Sequence, residues 1–225
     1  ITQSSKLSGV RYDVRGPILQ EAERLERAGE TILKLNIGNP APFGFEAPPE
    51  IVDEMRRVLP EAQGYSDSRG VLPAREAVVR HYEEIGLTGI GPEDVLIGNG
   101  VSELISLVLQ ALVSPGDEIL VPAPDYPLWT AQVTLTGAVH YPCDESNGWM
   151  PDLEAIEALV TERTKGIVLI NPNNPTGAVY SAELVRGFAA LAERHGLVLM
   201  ADEIYDRILY DGARHEYAAL HVEHT

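Results

Sequence analysis

Five short stretches of this 225-residue chain carry residue types that could do chemistry. Gly98-Asn99-Gly100-Val101-Ser102-Glu103 lies between an apolar run and a helix-like stripe. Glycines let a backbone approach a phosphate, and the free N–H groups of a starting helix favour an anion. Ser102 would add a hydroxyl donor, although a plain glycine turn capped by Asn99 or Ser102 reads equally well. A dinucleotide suits the stretch less, because Glu103 stands where a Rossmann fingerprint has its third glycine. Asn171-Pro172-Asn173-Asn174-Pro175-Thr176-Gly177 offers amide donors and acceptors on a loop stiffened by two prolines; its plain reading is a rigid turn with self-capping asparagines. In Asp202-Glu203-Ile204-Tyr205, Asp202 ends an apolar run, where a bare carboxylate needs a partner. That partner is a ligand cation or the start of a helix. Tyr126, in Pro122-Ala123-Pro124-Asp125-Tyr126-Pro127, is held between prolines and suits stacking on a planar ligand or packing in a turn. Gln63 to Gly70, which contains Tyr65, is a polar glycine-flanked loop whose default is solvation. His221-Val222-Glu223-His224 puts two histidines beside an acid but shows no third ligand cluster, so it reads as a solvated tail and no metal is expected. The six histidines and Cys143 show no nucleophile arrangement that spacing supports.

These stretches need elements to hold them. Pro17 to Gly29 has the periodicity of an amphipathic helix, and Ile32 to Ile37 reads as a strand. The Pro/Gly-rich passage Gly38 to Pro49 is loop chemistry and sets a boundary between residues 1–44 and 45–225. Beyond Asp94, strands and helices alternate. Strands are expected over 95–97, 118–121, 138–141, 166–170 and 197–201. Helices are expected over the stripe Val101, Leu104, Ile105, Val108 and Leu112, after Pro127, and from an Asp152 cap through Leu159. A last one runs from a Ser181 cap over Ala182 to His195, closed by Gly196. This alternation predicts an α/β fold with a mostly parallel central sheet flanked by helices. Ligands of such sheets bind beyond the carboxyl ends of strands, where these motifs fall.

Composition narrows the partners. With 44% hydrophobic and 23% charged residues the chain reads as a soluble globular protein. Its 17 basic and 34 acidic residues give a net charge of -17, which repels a phosphate backbone and argues against nucleic acid. One cysteine allows no intrachain disulfide and suits a reducing, cytoplasmic setting. No signal peptide is visible, and the longest apolar stretch, Leu104 to Val113, is too short and too interrupted to span a bilayer.

Taken in order, the Tyr65 loop, Gly98 to Glu103, Tyr126, Asn-Asn-Pro-Thr-Gly and Asp-x-x-Tyr resemble the class I/II aminotransferases of pyridoxal-phosphate (PLP) fold type I, over nearly the whole chain. Tyr12-Asp13-Val14-Arg15-Gly16-Pro17, Leu35 to Phe43, Ala123 to Trp129 and Asp202 to Asp206 are similar to the bacterial glutamate–pyruvate (alanine) aminotransferases. The resemblance implies an incomplete large domain of that fold over 45–225, truncated before the Schiff-base lysine, with an N-terminal arm and small-domain segment over 1–44. It implies that Gly100, Val101 and Ser102 hold the PLP phosphate, that Tyr126 stacks on the ring, and that Asp202 pairs with the protonated ring nitrogen. Asn174 and Tyr205 would bond the phenolic oxygen, across a cis Asn174–Pro175 peptide. Gly38, with Asn174, would meet the substrate carboxylate, and Tyr65 would reach the phosphate of the other subunit in a homodimer. The implied activity is amino transfer between alanine and 2-oxoglutarate, giving pyruvate and glutamate. One departure stands out. The family's lysine lies in a Ser-Lys-x-x-Arg segment downstream of Asp-x-x-Tyr, and Lys6, Lys34 and Lys165 have no such context. The family's carboxylate-binding arginine is also missing. The chain starts without methionine and ends at Thr225, where that lysine segment would follow. The expectation is therefore an N-terminal portion of a longer protein, without catalysis of its own. Rival readings are an aromatic or branched-chain aminotransferase or a C–S lyase on the same scaffold, a non-catalytic PLP-sensing module, and a nucleotide-binding oxidoreductase.

Overall fold

Four apolar runs become strands because each finds a neighbour. β1 (Glu118–Ala123), β2 (Ala138–Pro142), β3 (Thr164–Ile170) and β4 (Val198–Asp202) form one sheet in the order β2-β1-β3-β4, and every pair is parallel. This computed structural model describes residues 2, 4–10, 16–35, 38–135 and 137–222. Tyr12 to Arg15 of the opening motif, Asn36 and Ile37, and Glu223 and His224 of the histidine pair lie outside the described residues. The helices are α1 (Gly16–Arg27), α2 (Pro49–Val58), α3 (Leu72–Glu84), α4 (Val101–Leu112), α5 (Pro127–Val133), α6 (Leu153–Glu157) and α7 (Ala182–His195). The chain forms two compact units, Asp13–Val71, and Ile1–Tyr12 with Leu72–Thr225.

Strand pleating sorts the core into two layers. Ile119 and Val121 of β1 and Val168 and Ile170 of β3 pack with Ile105 and Leu109 of α4 and Trp129 and Val133 of α5. Leu120, Ile167 and Leu169 pack with Ile156 of α6 and with Val185, Phe188 and Leu191 of α7. Each of these side chains is nearly or fully buried, which stabilises by about 1.5–3 kcal/mol apiece before entropy is counted. The expected α/β architecture, a parallel sheet with helices on both faces, is what the chain forms.

Four local differences have physical causes. Val95 to Ile97 is not a strand: Val95 is extended, but no neighbouring strand pairs with it among the described residues, and Leu96 and Ile97 remain exposed. A strand is defined by pairing, and apolar extended residues alone do not make one. The described residues 32–35 are unpaired for the same reason. α6 stops at Glu157 rather than Leu159, because its last turn tightens, with Leu159 N–H donating to Ile156 O and Val160 N–H to Glu157 O. β4 starts at Val198, one residue late, because Leu197 N–H is engaged with Ala192 O in the αL cap at Gly196. The caps at Asp152 and Ser181 form as expected, the latter on Leu184 N–H. Lys165 lies within β3 and is exposed.

Candidate active site

The carboxyl ends of β1, β3 and β4 and the start of α4 carry most of the candidate residues. Gly100 caps α4 with φ 81°, a backbone that favours glycine, and leaves the first N–H groups of α4 without intrahelical acceptors. At Gly98 a Cβ would lie 2.6 Å from Leu104 Cδ2, so a larger residue would require Leu104 to shift. Glu103 turns its Oε2 back onto the Asn99 N–H at 2.5 Å, so its charge sits on the glycine turn. Ser102 is exposed and Val101 half-buried. Ser102 Oγ lies 3.3 Å from the hydroxyl of Tyr126, the N-cap of α5.

Asp202 closes β4 opposite Ile170, its carbonyl accepting from Asn171 N–H at 3.0 Å. The residue is 7% exposed. Oδ2 accepts the indole N–H of Trp129 at 2.9 Å, while Oδ1 is buried without a hydrogen bond of regular geometry. Burial pushes the carboxyl above its usual range; the N–H groups of Trp129 and Ile204 pull it back, and the charge of Glu203 adds to the rise. Such a carboxylate calls for a cation. A cavity of about 240 Å³ is lined by Asp202 together with Val101, Leu104, Trp129 and Ile204. Trp129 is the neighbour of Asp202 that sequence reasoning missed; its position three residues after Tyr126, on the same helix turn, was the available signal.

The asparagine loop separates its two readings residue by residue. Asn171 Oδ1 accepts from Tyr180 N–H at 2.9 Å, and Asn173 Oδ1 accepts from Thr176 N–H and Oγ1 at 3.2 and 2.8 Å. Both are buried; Asn173 caps its own loop, while Asn171 ties the loop to Tyr180 beyond it. Asn174 is half-buried and lines a cavity of about 470 Å³ with Tyr205, Pro172 and Val179. The Asn174–Pro175 peptide is cis as expected, and so are Asn171–Pro172 and Ala123–Pro124.

The structure thus brings Ser102 to Tyr126, Trp129 to Asp202, and Asn174 to Tyr205. Gly38 and Tyr65 belong to the Asp13–Val71 unit, where both are exposed, Tyr65 fully. Among the described residues no group of three or more His, Cys, Asp or Glu could hold a metal ion, and His221 pairs with Glu216 at 2.6 Å. No helix among them is long and apolar enough to cross a membrane.

The family model for aminotransferase class I and II matches residues 30–224. The chain is 60% identical to the glutamate-pyruvate aminotransferase AlaA of Escherichia coli (strain K12) over 221 residues, which cover 97% of this chain and 55% of that protein. It is 59% identical to the alanine aminotransferase of Mycobacterium tuberculosis (strain ATCC 25618 / H37Rv) over 216 residues, 95% of this chain and 50% of that protein. Among solved structures, an aminotransferase from Escherichia coli superposes with a TM-score of 0.93 at 59% identity, covering 98% of this chain and 55% of that one. The aspartate aminotransferase of Thermus thermophilus with maleate gives 0.87 at 28% identity, covering 98% and 58%. The chain spans about half the length of the curated relatives it matches.

Proposed function

The chain belongs to the class I and II aminotransferases, a PLP-dependent family, and from that premise we propose that its protein moves an amino group between alanine and 2-oxoglutarate, giving pyruvate and glutamate. The observation that carries the reading is Asp202. A buried carboxylate with one regular hydrogen bond, from Trp129, and no cation beside it among the described residues suits a cation such as a protonated pyridine nitrogen. PLP, when bound, supplies an electron sink for the charge left as a substrate Cα loses its proton. The residues of this chain hold and tune it. An anion at Asp202 keeps a ring nitrogen protonated, and Trp129 orients that anion. Gly100, Val101 and Ser102 present N–H and hydroxyl donors to a phosphate. Tyr126 stacks on the ring. Asn174 and Tyr205 donate to its phenolic oxygen, and Asn174 also holds the substrate carboxylate.

Alanine as donor is supported by relatives named glutamate-pyruvate and alanine aminotransferase at about 60% identity. On the same reading Tyr65, which is exposed, completes the partner's phosphate site in a homodimer, and the protein acts in the cytoplasm without nucleic acid or membrane. The test uses protein from the complete reading frame, loaded with PLP. Alanine alone should release one pyruvate per site, and 2-oxoglutarate added afterwards should leave as glutamate. Faster transfer from an aromatic or branched-chain donor would move the substrate assignment. Release of ammonia and pyruvate from a sulfur amino acid would point to a C–S lyase.

A further inference from the structure

Asp125, Thr130 and His140 form a hydrogen-bonded chain that none of the roles above uses. Asp125 Oδ2 accepts both the Thr130 N–H at 2.9 Å and the Thr130 hydroxyl at 2.7 Å. His140 Nε2 lies 2.9 Å from the same hydroxyl oxygen. The Thr130 proton goes to the carboxylate, so the imidazole must donate through Nε2. Asp125 and Thr130 are half-buried, and His140 is exposed on β2. Burial pushes the Asp125 carboxyl up, with the Thr130 bonds and the charge of His140 pulling it back.

The span of this chain matters more than its strength. It ties residue 125 to residue 130 across the first turn of α5, whose N-cap residue, Tyr126, has no side-chain cap of its own. Pro127 next to it has no N–H to contribute. Tyr126 and Trp129 both lie within the tied segment. Tyr126 carries the hydroxyl near Ser102, and Trp129 carries the indole N–H that holds Asp202. One carboxylate therefore anchors the turn that presents two aromatic side chains to two different walls of the site. An ordinary helix cap would stabilise α5 without reaching the ligand.

We infer that Asp125, Thr130 and His140 are positioning residues that set Tyr126 and Trp129 against the cofactor. This rests on the PLP reading of the site. The test compares Thr130→Val, Thr130→Ser and Asp125→Asn with wild type in protein from the complete reading frame. PLP titration and the circular dichroism of the bound cofactor are read beside cofactor-free thermal unfolding. Thr130→Val should weaken PLP binding about tenfold and reduce the cofactor's dichroism band, as expected of one charge-assisted hydrogen bond transmitted to the site. Thr130→Ser keeps the hydroxyl and should restore both. In a Trp129→Phe background the Thr130→Val loss should shrink, because the part of it carried by Trp129 is already gone and only the Tyr126 part remains. Three results would overturn the inference: a Thr130→Val protein with lowered unfolding temperature but unchanged affinity and dichroism, failure of Thr130→Ser to restore them, or full additivity with Trp129→Phe. Should Asp125→Asn fail to fold, the threonine pair still decides. Asp202→Ala separates the two layers: if it binds PLP as wild type does, the site reading itself fails, and the positioning role falls with it.

Discussion

Replacing Asp202 by Asn should separate cofactor binding from stability in opposite senses. The residue is 7% exposed and its carboxylate has one regular hydrogen bond, from Trp129. Removing one partner of a buried, hydrogen-bonded charge pair costs about 2–5 kcal/mol. At about 1.4 kcal/mol per decade, the PLP dissociation constant should rise by about thirtyfold at least and a few thousandfold at most. The cofactor-free protein responds differently. Burial raises the folded-state pKa of Asp202 above that of the unfolded chain. Between those two values the folded state keeps a proton that the unfolded state has lost. Stability from this group is therefore complete below the unfolded value of about 3.9 and falls as pH rises through the folded value. Asn does not titrate. The stability of Asp202→Asn relative to wild type should thus climb with pH across that window and level off above it. Urea unfolding of cofactor-free protein over a pH series, paired with PLP titration by tryptophan fluorescence, reads both effects. An unchanged PLP constant, or a stability difference flat with pH, would refute the reasoning.

Two further predictions concern the frame that holds the site. Ser181→Ala removes the acceptor for Leu184 N–H at the start of α7 and should cost about 1 kcal/mol, seen as a lower urea midpoint with unchanged slope; Ser181→Asp should keep most of it. Gly137→Ala would drive a Cβ into the carbonyl oxygen of Asp117 at the entry to β2, a backbone atom that cannot move aside, and should cost about 1–3 kcal/mol by the same measurement.

How much of this was legible in the sequence varied with the physics involved. Caps and parallel-sheet strands are local or strongly patterned, so Ser181, Asp152, Gly196 and the runs in β1 and β3 announce themselves. The helices α2 and α3 do not. The apolar spacing Ile51, Met55 and Leu59 of the α2 region stays exposed, and α3 buries only Arg75 and Val79, so neither carries the broad buried stripe that marks a core helix. Val95 to Ile97 has strand chemistry, yet pairing depends on a neighbour the local sequence does not contain. At the site, residue type placed a carboxylate and an aromatic at strand ends. It could not divide the asparagines, because whether Asn171 and Asn173 are taken up within the protein depends on Tyr180 and Thr176 returning to them. Nor could spacing join Trp129 to Asp202 across 73 residues; only the adjacency of β1, β3 and β4 does that.

We propose that Asp202, Tyr126, Asn174, Tyr205 and the start of α4 together hold PLP. Protein from the complete reading frame, supplied with PLP and freed of excess, should show a visible absorbance band that borohydride abolishes, and Asp202→Asn should lose that band at low PLP. A wild-type protein that is folded, fed with cofactor and colourless would contradict the account.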